Sequence, residues 1–222
     1  MSVITRKLIA KELYVHRWTM LSSAAAAALA AFVCAFGRTA FNVGAIAWIT
    51  AVIASGVMLA IYGVMHERKE HSLQFVLSLP ISTRQYVFAK TFGLLLSFVL
   101  PWLVASASAV ILVLASPAVN DGLLPYIVVF CGFLLANFSV VLCGALHARS
   151  EGMMTAVIIL TNMAVSLFMF IVGALPGLRD HMAGPVPVWN GTVFNVLLIE
   201  AIVLAIAVTL PLLTSARRRD FV

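Results

Sequence analysis

Charge is scarce in this chain. Only 10% of its 222 residues are Asp, Glu, Lys or Arg, where a soluble domain of this length carries about 25%. A water-exposed globular domain is thereby excluded. Cysteine is scarce too. Cys34, Cys131 and Cys143 are odd in number, lack metal-ligand spacing and fall inside or at the end of apolar runs. They read as reduced packing residues rather than a disulfide framework. Motifs of chemistry are missing. The chain has no G-x-x-x-x-G-K-[ST] loop to cradle phosphates, no H-E-x-x-H pair for zinc and no G-x-S-x-G elbow. Its acids are dispersed, which argues against an intramembrane lipid-modifying enzyme needing clustered carboxylates or a nucleophile–base pair. The five histidines, at positions 16, 66, 71, 147 and 181, sit at the ends of apolar runs or between them. They are badly placed to ligate a haem inside a helix bundle. His66 and His71, near Glu67 and Glu70, read as loop residues rather than a metal site. No cleavable leader is expected, because charge runs through Arg17 and no small-residue cleavage site follows a short apolar core.

What is present is hydrophobicity, at 63% of the residues. Apolar runs long enough to cross about 30 Å of hydrocarbon, roughly 18 residues or more, recur along the whole chain. The expected fold is all-α, a single polytopic membrane domain over 1–222. Six transmembrane helices are expected near residues 18–36, 44–65, 86–115, 123–146, 154–175 and 193–213. Short alternating strands of a barrel are missing, and lipid demands that backbone groups be satisfied internally. Pro101 and Pro211 are expected to kink the third and sixth spans. Small residues at four-residue spacing, Ser22, Ala26 and Ala30, offer a close-approach face, as do Gly173 and Gly177.

Lys and Arg outnumber Asp and Glu by 14 to 8, and the positions of the bases explain the excess without nucleic acid. With a cytoplasmic N-terminus, Arg6, Lys7, Lys11, Arg17, Arg68, Lys69, Arg84, Lys90, Arg149, Arg217, Arg218 and Arg219 all fall inside. Only Arg38 and Arg179 fall outside. This is a strong positive-inside bias, with both termini cytoplasmic.

Three segments lie between or before the spans. Residues 1–17 form a helix with Val3, Ile4, Leu8, Leu13 and Tyr14 in an apolar sector. Lys7, Lys11 and Arg17 are placed to reach lipid phosphates, so this is either an interface helix with Glu12 in it or only an orientation signal. Residues 66–90 are the longest charged interruption. Glu67 to Leu79 have helical spacing, Pro80 ends or turns that helix, and Ser82 is placed to cap the next one. Leu73, Phe75, Val76, Leu77 and Leu79 together demand an apolar surface from the bundle, the membrane or a partner. Residues 176–192 are rich in Pro and Gly and hold Trp189, as a turn-rich outer loop would.

At residues 66–93 and 6–17 the chain resembles the membrane subunits of type 2 ABC exporters. The resemblance is carried by Glu67, Arg68, Ser72, Leu73, Leu77, Leu79, Pro80, Ile81, Ser82 and Lys90. It extends to Ile9-Ala10-Lys11-Glu12-Leu13 with His16 and Arg17. The chain departs from the pattern at His71-Ser72, where a Gly-Thr pair is usual. The resemblance implies a permease that pairs with a second copy or a paralogue around a central path and docks two cytoplasmic ATPases. The 66–85 segment would act as a coupling helix in a cleft of the ATPase. Glu67, Arg68, Glu70 and Gln74 would make polar contacts there, with Leu77, Leu79 and Pro80 completing the element. ATP and Mg would be bound by the partner, with no cofactor in this chain. The 176–192 loop would form short helices dipping into the outer leaflet. A bacterial cytoplasmic membrane is the expected location.

Glu200 is the one acid well inside a span, and an ionisable residue there is a functional candidate. Facing a hydrated path, pairing with Arg38 or Arg179, and sitting protonated between helices are all open to it. Asn137 and Asn162, with Ser139, Thr161 and Ser166, either line a path or make interhelical hydrogen bonds. A secondary transporter or channel working without ATP is the alternative function, yet it calls for more paired charges or broken helices at mid-depth. The substrate is not written in these residues.

Overall fold

The computed structural model describes residues 3–67, 82–116, 119–148 and 150–214, and every regular element among them is helical. Helix α1 spans Val3–Val15. Helix α2 spans Arg17–Val33 and tightens into a 3-10 turn at Cys34–Phe36. Helix α3 spans Arg38–Ala60 and runs on as a π-helix over Ile61–His66. Then come α4 (Thr83–Ala115), α5 (Leu124–His147), α6 (Glu151–Gly173), the short α7 (Pro176–Arg179) and α8 (Gly191–Thr214). Six of these stretches are long and apolar enough to cross a membrane: Arg17–Phe36, Arg38–His66, Arg84–Ala115, Asp121–His147, Glu151–Gly173 and Gly191–Thr214. The sequence placed all six. It started the second span too late, because Gly37 takes a φ of 106° and turns the chain at once, making Arg38 the first helical residue. Pro101 and Pro211 lie inside α4 and α8, which continue past them.

Helix α5 is the axle of the bundle. Half of its most apolar window is buried, against 17% for α6 and for α8, and it packs on α3, α4, α6 and α8. Leu59, Leu94, Phe98, Leu134, Phe138 and Leu142 form the centre, with the rings of Phe98 and Phe138 stacked at 4.0 Å. Between helices in lipid, close packing replaces the hydrophobic drive. Gly44 shows how close: a Cβ there would lie 2.6 Å from the carbonyl oxygen of Ala30. Ala30 thus meets α3 of its own chain, while Ser22 and Ala26 face out of the bundle.

The two ends of the bundle differ. At the end carrying α1, that helix packs on the start of α4 rather than along α2. His147 and the Thr214 hydroxyl, 2.8 Å apart, join α5 to α8 there. At the opposite, distal end the connection before α5 is stitched to the loop after α7. Gly122 N–H donates to Gly184 O at 3.0 Å and the Asn120 amide donates to Ala183 O at 3.1 Å. Asn190 caps α8 by accepting from Val193 N–H at 3.2 Å, and its amide donates to Gly177 O.

Candidate functional site: a buried charge cluster at the α1 end

Three elements meet at the α1 end, each bringing charge. Helix α1 turns Thr5 and Glu12 inward, as does His16 at its junction with α2, and leaves Val3, Ile4, Tyr14 and Val15 facing out. Glu12 and His16 are one turn apart and share a face. Helix α4 offers Tyr86 and Lys90 from its first turns. The π-helix at the end of α3 delivers Glu67. Wide turns of this kind re-aim the residues after them and recur at functional sites.

Lys90 is the hub. It is 2% exposed. Its ammonium lies 3.0 Å from both carboxylate oxygens of Glu12 and 2.8 Å from Glu67 Oε2. Three acceptors match the three N–H donors of a lysine. Lys11 approaches the other oxygen of Glu67 at 2.8 Å, and the Tyr86 hydroxyl donates to Glu67 Oε2 at 3.3 Å. His16 Nε2 stands 3.6 Å from Glu12 Oε2. Two acids and two lysines balance. Burial alone would push the Glu67 carboxyl up, but Lys90 and Lys11 outweigh it and hold the group below its ordinary range. Burial likewise opposes the charge on Lys11, and Glu67 overrides it, so the amine is raised.

Two glycines make room. A Cβ on Gly93 would sit 2.8 Å from Glu12 Cγ, and one on Gly63 would fall 2.5 Å from Leu94 Cδ2 and 3.3 Å from His16 Nε2. The start of α4 is held separately by a capping box. Ser82 Oγ accepts from Gln85 N–H at 3.2 Å and Gln85 Oε1 accepts from Ser82 N–H at 3.1 Å. Ser82 therefore caps α4 as its position suggested.

The other residues singled out in the sequence fall in different places. Arg68, Glu70, Gln74, Leu77, Leu79 and Pro80, the body of the expected coupling helix, lie outside the described residues. Both flanks of that stretch, Glu67 and Ser82, are anchored. Lys7 is exposed. Arg17 stacks over the Tyr14 ring at 4.0 Å and the Trp18 ring at 5.6 Å. Glu200 is buried between α5 and α8, its carboxyl pressed into the space that Gly132 leaves by lacking a Cβ. Neither of its oxygens has a hydrogen-bond partner among the described residues. Asn137 and Asn162 border one small cavity of about 20 Å³ together with Gly56, Phe98 and Phe138, room for about one water. Asn162 otherwise faces outward.

The cluster itself escaped the sequence reading, which had assigned Lys11 and Glu12 to the membrane surface and Glu67 to a partner. A signal was present. Glu12 is the sole acid of α1 and Lys90 stands at the edge of a long apolar run. Charges removed from water need a partner of opposite sign.

Six apolar helices packed as one bundle, with a buried charge cluster at one end, define a polytopic helical membrane protein. A family model described as ABC-2 family transporter protein matches residues 7–216, which takes in all but the first residues of α1 and everything through α8. The chain belongs to the ABC-2 transporter family, and so to the membrane-embedded components of ABC transporters. No curated protein and no solved structure matches it.

Proposed function

We propose that the chain is the permease subunit of an ATP-driven exporter, and that the Glu12–Lys90–Glu67 cluster carries force from a cytoplasmic ATPase into the spans. One observation supports this above others. Lys90 bridges α1 to both flanks of the 68–81 segment, since Glu67 precedes that segment and Lys90 follows it. A push on the segment then moves the ends of α3 and α4 and the whole of α1 as one body. A plain surface loop has no use for a buried ionic knot, whose desolvation costs several kcal/mol per ion before pairing offsets it.

Family membership and charge placement support the rest of the reading. Two ATPase copies bind ATP and Mg beneath the membrane, because this chain has no phosphate-binding loop. A second permease copy, identical or paralogous, faces the outward side of α6, where Asn162 stands among Ile159, Leu160, Met163 and Phe170. The substrate path runs between the copies, with Asn162, Asn137 and Glu200 as its polar candidates. The positive-inside bias supports cytoplasmic termini, with the chain in a bacterial inner membrane, α1 on the inner leaflet among lipid headgroups and the α7 loop closing the exit.

The test is to co-purify the chain with a Walker-motif ATPase and reconstitute the complex in lipid. Reversing charge at the flank, with Glu67→Lys and Arg68→Glu, should lower the ATPase rate of the complex or dissociate it. If assembly and ATPase rate both stayed at the unaltered level, the coupling reading would fall. Vectorial transport by the chain alone, without nucleotide, would instead favour a secondary transporter.

A further inference from the structure

The distal end of the bundle contains two adjoining cavities remote from the charge cluster. The inner one, about 240 Å³ and partly open at the bundle surface, is bordered by α2 to α6, with Trp48, Ile49, Ala109, Val113, Phe130 and Met169 among its walls. Two of the polar groups on its lining are engaged elsewhere. The Trp48 indole donates to Ala105 O at 3.2 Å, and the Cys34 thiol donates to Phe41 O at 3.6 Å. The slot is therefore apolar. Its volume of about 240 Å³ exceeds the roughly 150 Å³ of an enclosed apolar cavity that takes up benzene, although this slot is partly open. Cys34, Phe41 and Leu123 line this slot and also a second cavity of about 520 Å³ at the rim, where Arg38, Asn120 and Met182 stand.

Arg38 gives the rim its character. It is exposed, and the ion pairs among the described residues, which join Lys11, His16 and Lys90 to Glu12 and Glu67, leave it out. As the first residue of α3 it also sits at the helix end where a cation is least favoured. An apolar slot beside a cation that has no carboxylate partner among the described residues fits an amphiphile with a hydrocarbon tail and an anionic head.

We propose that these linked cavities hold one anionic phospholipid from the leaflet at the distal end, an acyl chain in the Trp48–Phe130 slot and its phosphate against Arg38. The site lies within a single copy of the chain and is independent of the exporter reading. A free phosphate would meet only one exposed cation, whereas a lipid engages both parts. Filling the slot restores dispersion contacts that its walls otherwise lack. One arginine at a lipid surface is worth about a fivefold preference for anionic heads.

The test uses the full chain in detergent, titrated with phosphatidylglycerol or phosphatidylcholine of the same acyl length and read by native mass spectrometry. The expected result is one tightly held phosphatidylglycerol per chain, preferred about fivefold. Glycerol phosphate should not displace it. Arg38→Gln should erase the headgroup preference, and Arg38→Lys should keep it. Ala109→Leu, which fills the slot, should weaken binding of both lipids about tenfold. The proposal is overturned if the unaltered chain shows no headgroup preference, if Arg38→Gln retains it, if glycerol phosphate competes, or if a folded Ala109→Leu chain binds as before. Should Ala109→Leu fail to fold, the Arg38 pair decides.

Discussion

Lys90 lies two turns into a membrane-spanning helix, shielded from solvent, and touches two carboxylates from two earlier elements, α1 and the end of α3. Replacing it by Met would leave Glu12 buried without its closest cation, beside a partly buried Glu67 that keeps Lys11. The expected cost is about 3–5 kcal/mol, the penalty for removing one partner of a buried pair. Thermal unfolding in detergent should show it, and adding Glu12→Gln to Lys90→Met should recover part of the loss. No recovery would mean that the two side chains are not coupled. The same cluster sets a pH window. Glu67 is held below its ordinary value of 4.5, so its contribution is complete above that value and disappears as pH falls through the lower folded one. Lys11 is raised above 10.5, so its contribution is complete below that value and is lost as pH rises through the folded one. Unfolding temperatures of the unaltered and Glu67→Gln chains should differ at neutral pH and converge in acid. A gap that persisted undiminished to pH 3 would contradict the pairing.

At the scale of elements, glycine decides whether α1 docks. Gly93 lets Glu12 lie against α4, and Gly93→Ala places a methyl group 2.8 Å from Glu12 Cγ. Overpacking of this kind costs about 1–3 kcal/mol. Because α1 rests chiefly on α4, the loss should appear first as protease access to α1, with the six spans intact. Ser82→Ala removes the cap at the start of α4 and should cost about 1 kcal/mol. It should fray the first turn of α4 without freeing α1. If both variants gave the same cleavage pattern, the separation of cap from clamp would be wrong. The π-helix at Ile61–His66 belongs to this scale as well. Its composition, Ile-Tyr-Gly-Val-Met-His, looks like any end of a span, and nothing in it announces i→i+5 bonding. Gly63 wedged by Leu94 and His16 is a tertiary contact that became visible only when the helices were brought together.

The whole molecule is buried at its axle and open on its flanks. Leu160, Met163, Leu167 and Phe170 of α6 and Leu198, Ile199, Ile202 and Ile206 of α8 face outward, as spans in contact with lipid or with another chain do. An outward asparagine among such neighbours is poorly served by hydrocarbon, which is why Asn162 supports a second permease copy on α6. In a chain lacking Cys34, Cys131 and Cys143, the substitution Asn162→Cys should cross-link two copies in the membrane under mild oxidation. A dimer that formed without any such link would move the interface to another helix.

Length and hydropathy determined the number of spans, because a lipid core of fixed thickness permits only helices of about that length and requires them to be apolar. Ser82 was legible as a cap for a similarly local reason: a hydroxyl before a helical run satisfies N–H groups that no other group nearby reaches. Glu200 stood out by its type alone, since any acid in a span does. The tertiary structure decided what those signals could not carry. Glu12, Glu67 and Lys90 are far apart along the chain, and each has a sound local use, at a membrane surface, toward a partner or at a helix start. Only the docking of α1 on α4, beside the turn that ends α3, gives the three a common enclosure. Whether a charge is paired inside or free outside depends on which helix covers it, and the order of residues along one helix holds no record of its neighbours.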